Sequence, residues 1–279
     1  MIDLENYDII DSVTAEDGTK VEILEITKLR GSSDLRVAES LYFAAEAGLR
    51  VKMVRITISN SKVRVEPGAL YFMKGNLEIK ASTGGGILKG LSRKMLTGET
   101  FFVNEIHGSG EIWLEPTFGH FLLHNTQEDG GVIVDKSLFY AGTSNLDVSA
   151  HKQKNISSAL MGGEGWFQTK ITGHGIAVLY SPVPVQEILK IKLGADKLWV
   201  DGNFAMMRSI GVNFWVQKSS KSWMATSVSG EGLLQTFSGE GNVWIAPTEG
   251  IYENMISKSG LVDLANSPGS MGTIVGKKK

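Results

Sequence analysis

The 279-residue chain contains no cysteine. That excludes disulfides, thiolate nucleophiles and cysteine-based zinc sites together, and it suits a reducing compartment. Proline is scarce, with only 6 residues. An excess of one charge is also missing: 28 lysines and arginines stand against 30 aspartates and glutamates. So balanced a chain offers no global basic field, which argues against nucleic acid as a partner. No apolar run approaches the roughly 20 residues that cross a bilayer, so no membrane span is expected. The start, MIDLENYDII, has neither the basic opening nor the apolar core of a signal peptide. The expected location is therefore cytoplasmic. Reactive signatures are lacking too. There is no Gly-x-Ser-x-Gly elbow, no Gly-x-x-x-x-Gly-Lys-[Ser/Thr] loop and no clustered His-x-His of the cupin type.

Glycine is plentiful instead: 33 residues, scattered among short apolar runs. That combination points to many strands joined by many turns. Two stretches read nearly alike. GSGEIWLEPT runs from Gly108 to Thr117, and GEGNVWIAPT from Gly239 to Thr248. Their tryptophans, Trp113 and Trp244, are 131 positions apart. A middle copy keeps Gly173 and Gly175, with Val178 at the tryptophan position.

A second landmark precedes each of these, at Gly98-Glu99, Gly163-Glu164 and Gly230-Glu231, with intervals of 65 and 67. A third is Val65-Glu66, Val134-Asp135 and Val200-Asp201, spaced 69 and 66. Three landmarks in constant order define three repeats, 50–116, 117–182 and 183–250. Residues 1–49 form an N-terminal extension and 251–279 a C-terminal extension and tail.

Each repeat reads as β-structure. Val54 to Ile58, Val63 to Val65 and Leu77 to Lys80 alternate apolar and polar residues, the period of a half-buried strand. The Gly-x-Gly pairs are expected to be turns, each launching a strand that ends near a proline. Two helices interrupt the pattern. Asp34 is placed to cap a helix over 35–47 that stops at Gly48. A shorter one is expected over 87–96, after Gly84-Gly85-Gly86. The expected fold is all-β with minor α. Its three repeats would cover one another's sheets, closing around a pseudo-threefold axis.

The run TGETFFVNEIHGSGEIWL, preceded by GGGILKGLSRKML and VEPGALYFMKGNLEI, resembles the altered inheritance of mitochondria protein 24 family. The resemblance covers roughly residues 50–250. It implies a TRAP-like double-stranded β-helix sandwich carrying three structural repeats, and it supplies no catalytic activity. An RNA-binding role does not pass with the fold. The dense basic patch, Lys89, Arg93 and Lys94, is not repeated in the other two copies.

Glu99, Glu164 and Glu231 would converge if the repeats circle an axis, and three carboxylates can hold a cation. The simpler expectation is that each pins its own turn. His120 and His124 share a face at a spacing of four and are candidate metal ligands, with no third ligand placed by the sequence. Trp113 and Trp244 are expected to fill packing seams. The reading that follows is a non-enzymatic scaffold or binding protein, with no cofactor and with an unidentified protein partner or self-association. The alternatives are a small-molecule or RNA binder using a groove between repeats, and a metal-dependent enzyme.

Overall fold

The computed structural model describes residues 2, 4–31, 33–83, 102–153, 167–201, 205–218 and 233–256. The chain divides into two compact units. Unit 1 comprises Met1–Gln127, Ser137–Val148 and Thr172–Ser181, and unit 2 comprises Glu128–Lys136, Ser149–Ile171 and Pro182–Lys279. The described residues are mostly strand, with two α-helices.

Unit 1 is built on one large antiparallel sheet. Its strands are β1 (Tyr7–Thr14), β2 (Lys20–Ile26), β3 (Lys52–Val65), β4 (Leu70–Thr83), β5 (Phe102–Leu114), β6 (His120–Asn125), β8 (Phe139–Thr143) and β11 (Ile176–Ser181). The order is β1-β2-β3-β8-β11-β6, and β5 pairs with both β3 and β4. Alternation decides which face is buried. Val21, Ile23, Val54, Ile56, Ile106 and Ile112 are among the residues forming a dry core on one face.

A second sheet follows the order β12 (Leu189–Leu193), β17 (Gly241–Ile245), β14 (Ala205–Ser209), β7 (Val132–Val134), β10 (Phe167–Gly173) and β9 (Leu146–Lys152). The third sheet, with β13 (Lys197–Asp201), β16 (Leu233–Ser238) and β15 (Asn213–Lys218), belongs to unit 2. Phe214, Phe237, Val200 and Val243 lie in the core of unit 2.

One pairing pattern recurs. In residues 50–116, β5 lies between β3 and β4. In 117–182, β11 lies between β6 and β8, and β10 between β7 and β9. In 183–250, β17 lies between β12 and β14, and β16 between β13 and β15. The last of three strands always inserts between the first two. The first segment keeps each strand long; the other two break every strand into two.

The glycines explain where the strands bend. Gly108 has φ +125°, and a Cβ there would lie 2.0 Å from the Asn76 carbonyl oxygen. Gly173 has φ +91°, and its Cβ would meet the Asn145 carbonyl oxygen at 2.1 Å. Only glycine permits that backbone crossing. The expectation that each Gly-x-Gly is a turn is corrected for the first copy, where Gly108 and Gly110 lie inside β5. Gly173 ends β10, Gly175 precedes β11, and Gly239 and Gly241 fall at the β16–β17 junction.

The N-terminal extension holds more than the expected helix, because β1 and β2 extend the unit 1 sheet beside β3. The helix itself, α1 (Arg36–Glu46), lies where the sequence put it. The Asp34 carboxylate accepts the Arg36 N–H at 3.0 Å, and Gly48 follows the helix at φ +73°. A second helix, α2 (Glu249–Ile256), begins the C-terminal extension. The helix expected over 87–96 lies outside the described residues.

Candidate functional site

The outer face of the β3–β5–β4 segment carries the chemistry of unit 1. Cross-strand partners share a face, so the register sets the rows. One row is Glu22, Arg55, Trp113 and Phe72, each opposite the next on β2, β3, β5 and β4. Another is Lys62, His107 and Glu78, and a third is Arg64, Glu105 and Lys80.

At one end the rows build a polar cluster. Glu105 Oε1 receives Lys62 Nζ at 3.2 Å and Arg64 Nη2 at 3.1 Å, while His107 Nε2 lies 3.1 Å from Oε2. Partial burial pushes the Glu105 carboxyl up. The hydrogen bond and charge of Lys62, with Arg64 and His107, outweigh it and hold the group below its ordinary value. The cluster borders an open cleft of about 600 Å3 whose walls include Asn60, Lys62, Asn76, Glu78, His107 and Ser144.

A histidine oriented by a carboxylate is one element of acid–base catalysis. The nearby hydroxyls do not complete it. Ser61 and Ser144 both donate to Asp17 Oδ2, at 2.7 and 2.6 Å. Burial raises the Asp17 carboxyl, but these two bonds and those from Thr19 bring it down to about 2. Asp17 therefore ties β3 at Ser61 to the turn at Ser144 as a fixed anion, and its serines are held as donors.

At the other end of the face lies an apolar pocket of about 260 Å3. Met53, Tyr71, Phe72 and Trp113 form one side; Ile2, Leu4, Tyr7 and Ile26 form another. Phe72 stacks on Trp113 with centroids 5.3 Å apart at 14°. Arg55 lies over the same indole at 5.5 Å. Trp113 is 2% exposed, and among the described residues its Nε1–H has no hydrogen-bond acceptor. Tyr71 and Phe72 stay partly open to solvent. The pocket combines the N-terminal extension with residues of the 50–116 segment.

Of the residues singled out from sequence, Trp113 falls in this pocket. It packs against Leu24 and Met53 and beside Ile2, Leu4 and Tyr7, so its seam joins the extension to its own repeat. Trp244 is buried opposite Lys190, whose ammonium sits 5.0 Å over the ring. The cation–indole row of unit 1 thus has a counterpart at the matching position of unit 2. His120 and His124 sit on β6 opposite Ser181 and Ala177. Among the described residues, no three histidine, aspartate or glutamate side chains gather to hold a metal. Glu99, Glu164 and Glu231, and the patch Lys89, Arg93 and Lys94, lie outside the described residues.

Residues 43–248 match the family described as Mitochondrial biogenesis AIM24. The chain belongs to that family. An uncharacterised protein of Streptococcus pyogenes serotype M6 is 23% identical over 221 residues, covering 75% of this chain and 86% of the relative. A crystal structure of a Streptococcus pyogenes protein, 22% identical, matches with a TM-score of 0.52 over 71% of this chain and 88% of that one. At this identity the likeness is one of fold.

Two features of this AIM24-family chain escaped the sequence reading. The Asn76-Leu77-Glu78-Ile79 stretch, crossed by Gly108, returns as Asn145-Leu146-Asp147-Val148, crossed by Gly173. Its spacing of 69 matches the third landmark and was available as a signal. Glu22, 1% exposed, lies in a stretch where no strand was expected. Arg55 and Lys20 cover it.

Proposed function

We propose that this protein is a non-enzymatic binding protein that takes a small apolar ligand into the pocket walled by Trp113. The observation carrying this reading is the pocket: about 260 Å3 of space with no charged residue in its wall among the described residues. An engineered cavity of roughly 150 Å3 holds benzene, so this volume suits a compound of two fused rings. The Glu105 cluster is less suited to turnover, because its carboxylate is neutralised by two cations and its neighbouring hydroxyls serve Asp17.

The same proposal takes the chain as three copies of one module, 50–116, 117–182 and 183–250, in a TRAP-like arrangement about a pseudo-threefold axis. The recurring pairing pattern supports the copies. So does the matching backbone crossing at Gly108 and Gly173.

Titration with tetralin, a two-ring hydrocarbon, tests the binding reading. The methyl resonance of Met53 is expected to shift saturably as the probe enters. An unmoved Met53 signal at the solubility limit of tetralin would remove the pocket as a ligand site.

A further inference from the structure

We propose that the outer edge of β4 is a self-association site, where a second copy of the chain adds its own β4 antiparallel and continues the unit 1 sheet across a two-fold axis at Asn76.

β4 is a strand of 14 residues. On one side it pairs with β5; among the described residues no strand pairs with its other side. A long edge of this kind presents a row of backbone donors and acceptors to any chain that can add a strand. The side chains are open as well. Phe72, Lys74, Asn76, Glu78, Ile79 and Lys80 are all exposed. Ile79 shares its face with Met73 and Leu77, which pack against the core, yet it is 44% exposed. A neighbouring strand would cover it.

Charge selects the occupant and the register. A two-fold axis normal to the sheet keeps both faces continuous, so each residue meets one of its own face. Two registers overlap nearly the whole strand, with the axis at Asn76 or at Leu77. An axis at Leu77 sets Lys74 against Lys80, a pair of like charges. An axis at Asn76 sets Lys74 of each copy opposite Glu78 of the other, so the favourable contact occurs twice. Opposite charges directly across a strand pair attract, and like charges repel.

The remaining pairs of that register fit too. Met73 falls opposite Ile79 and covers its open side chain. Phe72 falls opposite Lys80, a cation–aromatic pair. Gly75 falls opposite Leu77 and leaves room for it. Within one chain Glu78 meets Lys80 at 3.2 Å, an exposed pair that holds the carboxylate only weakly.

Sedimentation velocity over a concentration series tests this on the full chain. The unaltered protein is expected to pass reversibly from monomer to dimer. Lys74→Glu sets a carboxylate against Glu78, and Glu78→Lys sets an ammonium against Lys74; each should weaken the dimer about tenfold. An equimolar mixture of the two variants restores both opposite pairs and should associate as tightly as the unaltered protein. Lys74→Glu also faces Glu111 on β5 of its own chain, a strain that mixing does not relieve, so the mixture separates association from stability. The chain has no cysteine, so a single one reports the axis. Asn76→Cys should cross-link to its own counterpart on mild oxidation. Lys80→Cys should not, because its counterparts would lie about 27 Å apart. The cross-link decides the axis even if a charge variant does not fold. A chain that stays monomeric at every concentration overturns the proposal. So does a dimer indifferent to both charge reversals, a mixture that associates no better than its components, or a cross-link through Lys80→Cys and not through Asn76→Cys.

Discussion

In unit 1 the Arg55 guanidinium lies over the Trp113 ring at 5.5 Å; in unit 2 the Arg208 guanidinium lies over the Phe214 ring at 5.0 Å. The aromatic support is the same and the counter-charge is not. Arg55 meets Glu22, itself 1% exposed, through Nε at 2.8 Å and Nη2 at 2.7 Å. Lys20 Nζ stands 2.7 Å from the other carboxylate oxygen, close enough for an ion pair but not aligned as a hydrogen bond. Among the described residues Arg208, 3% exposed, meets two amides: Gln168 Oε1 at 2.8 Å and Gln153 Oε1 at 3.2 Å. Among the described residues no carboxylate pairs with it and its Nε–H has no acceptor. Burial brings its pKa down to about 10. Ring faces and neutral dipoles can therefore hold a buried cation, but they leave its charge uncompensated.

The largest test breaks the compensated site. Glu22→Gln keeps the shape of the side chain and removes its charge, leaving Arg55 and Lys20 without their anion. Breaking a buried pair from one side costs about 3–5 kcal/mol. Urea unfolding should show that loss as a lower midpoint at unchanged slope. A cost below about 1 kcal/mol would mean that Arg55, like Arg208, is held by its ring and neutral dipoles alone.

A smaller effect of opposite sign comes from making unit 2 resemble unit 1. Gln168→Glu places a carboxylate on Arg208 at an existing hydrogen bond. The expected gain is about 1–2 kcal/mol at neutral pH, the range for a hydrogen bond between charged partners less some desolvation. Arg208 would depress the new carboxyl in the folded state. The gain is thus present above the unfolded glutamate pKa and lost as pH falls through the folded one. Loss of stability at pH 7 would show that the amide arrangement suits Arg208 better than an anion.

These contrasts mark what the residues announced and what they hid. The recurring glycines stood out in the sequence for a backbone reason. Gly108 and Gly173 stand where any side chain would strike a carbonyl oxygen, so the glycines could not drift. Asp34 and Gly48 announced α1 for similar local reasons. Of the strands in the extension, β2 was missed because Val21 to Leu24 are buried on both faces, which erases the alternation that reveals a half-exposed strand. The Trp113 pocket was out of reach for another reason. Its wall brings Ile2 and Leu4 to Phe72 and Trp113, and no local pattern records such a meeting. Arg208 sits in the run Ala205-Met206-Met207-Arg208-Ser209, where an arginine reads as the outward residue of a strand. Only packing shows that it points inward.

Unit 2 leaves an anion uncompensated as well, and pH reports on it with the smallest expected effect. Glu249 opens α2. Burial, then the like charges of Glu253 and Asp135, push its carboxyl up to about 7. No lysine or arginine pairs with it among the described residues. Between the unfolded pKa of about 4.3 and the folded value near 7, the folded chain binds the extra proton. Stability from this group is therefore complete below about pH 4.3 and declines as pH rises to about 7. Glu249 is partly exposed, and solvent screening reduces the effect to on the order of 1 kcal/mol. The change should be local. Tyr252 donates to Glu187 at 2.8 and 3.0 Å, and this tie continues to anchor the helix when Glu249 ionises. Amide exchange in α2 should therefore quicken from pH 5 to pH 8 beyond the ordinary base-catalysed rise, and Glu249→Gln should remove the excess. An excess of the opposite sign, or one unchanged in Glu249→Gln, would mean that the carboxylate of Glu249 is compensated after all, and the contrast with unit 1 would then hold for cations alone.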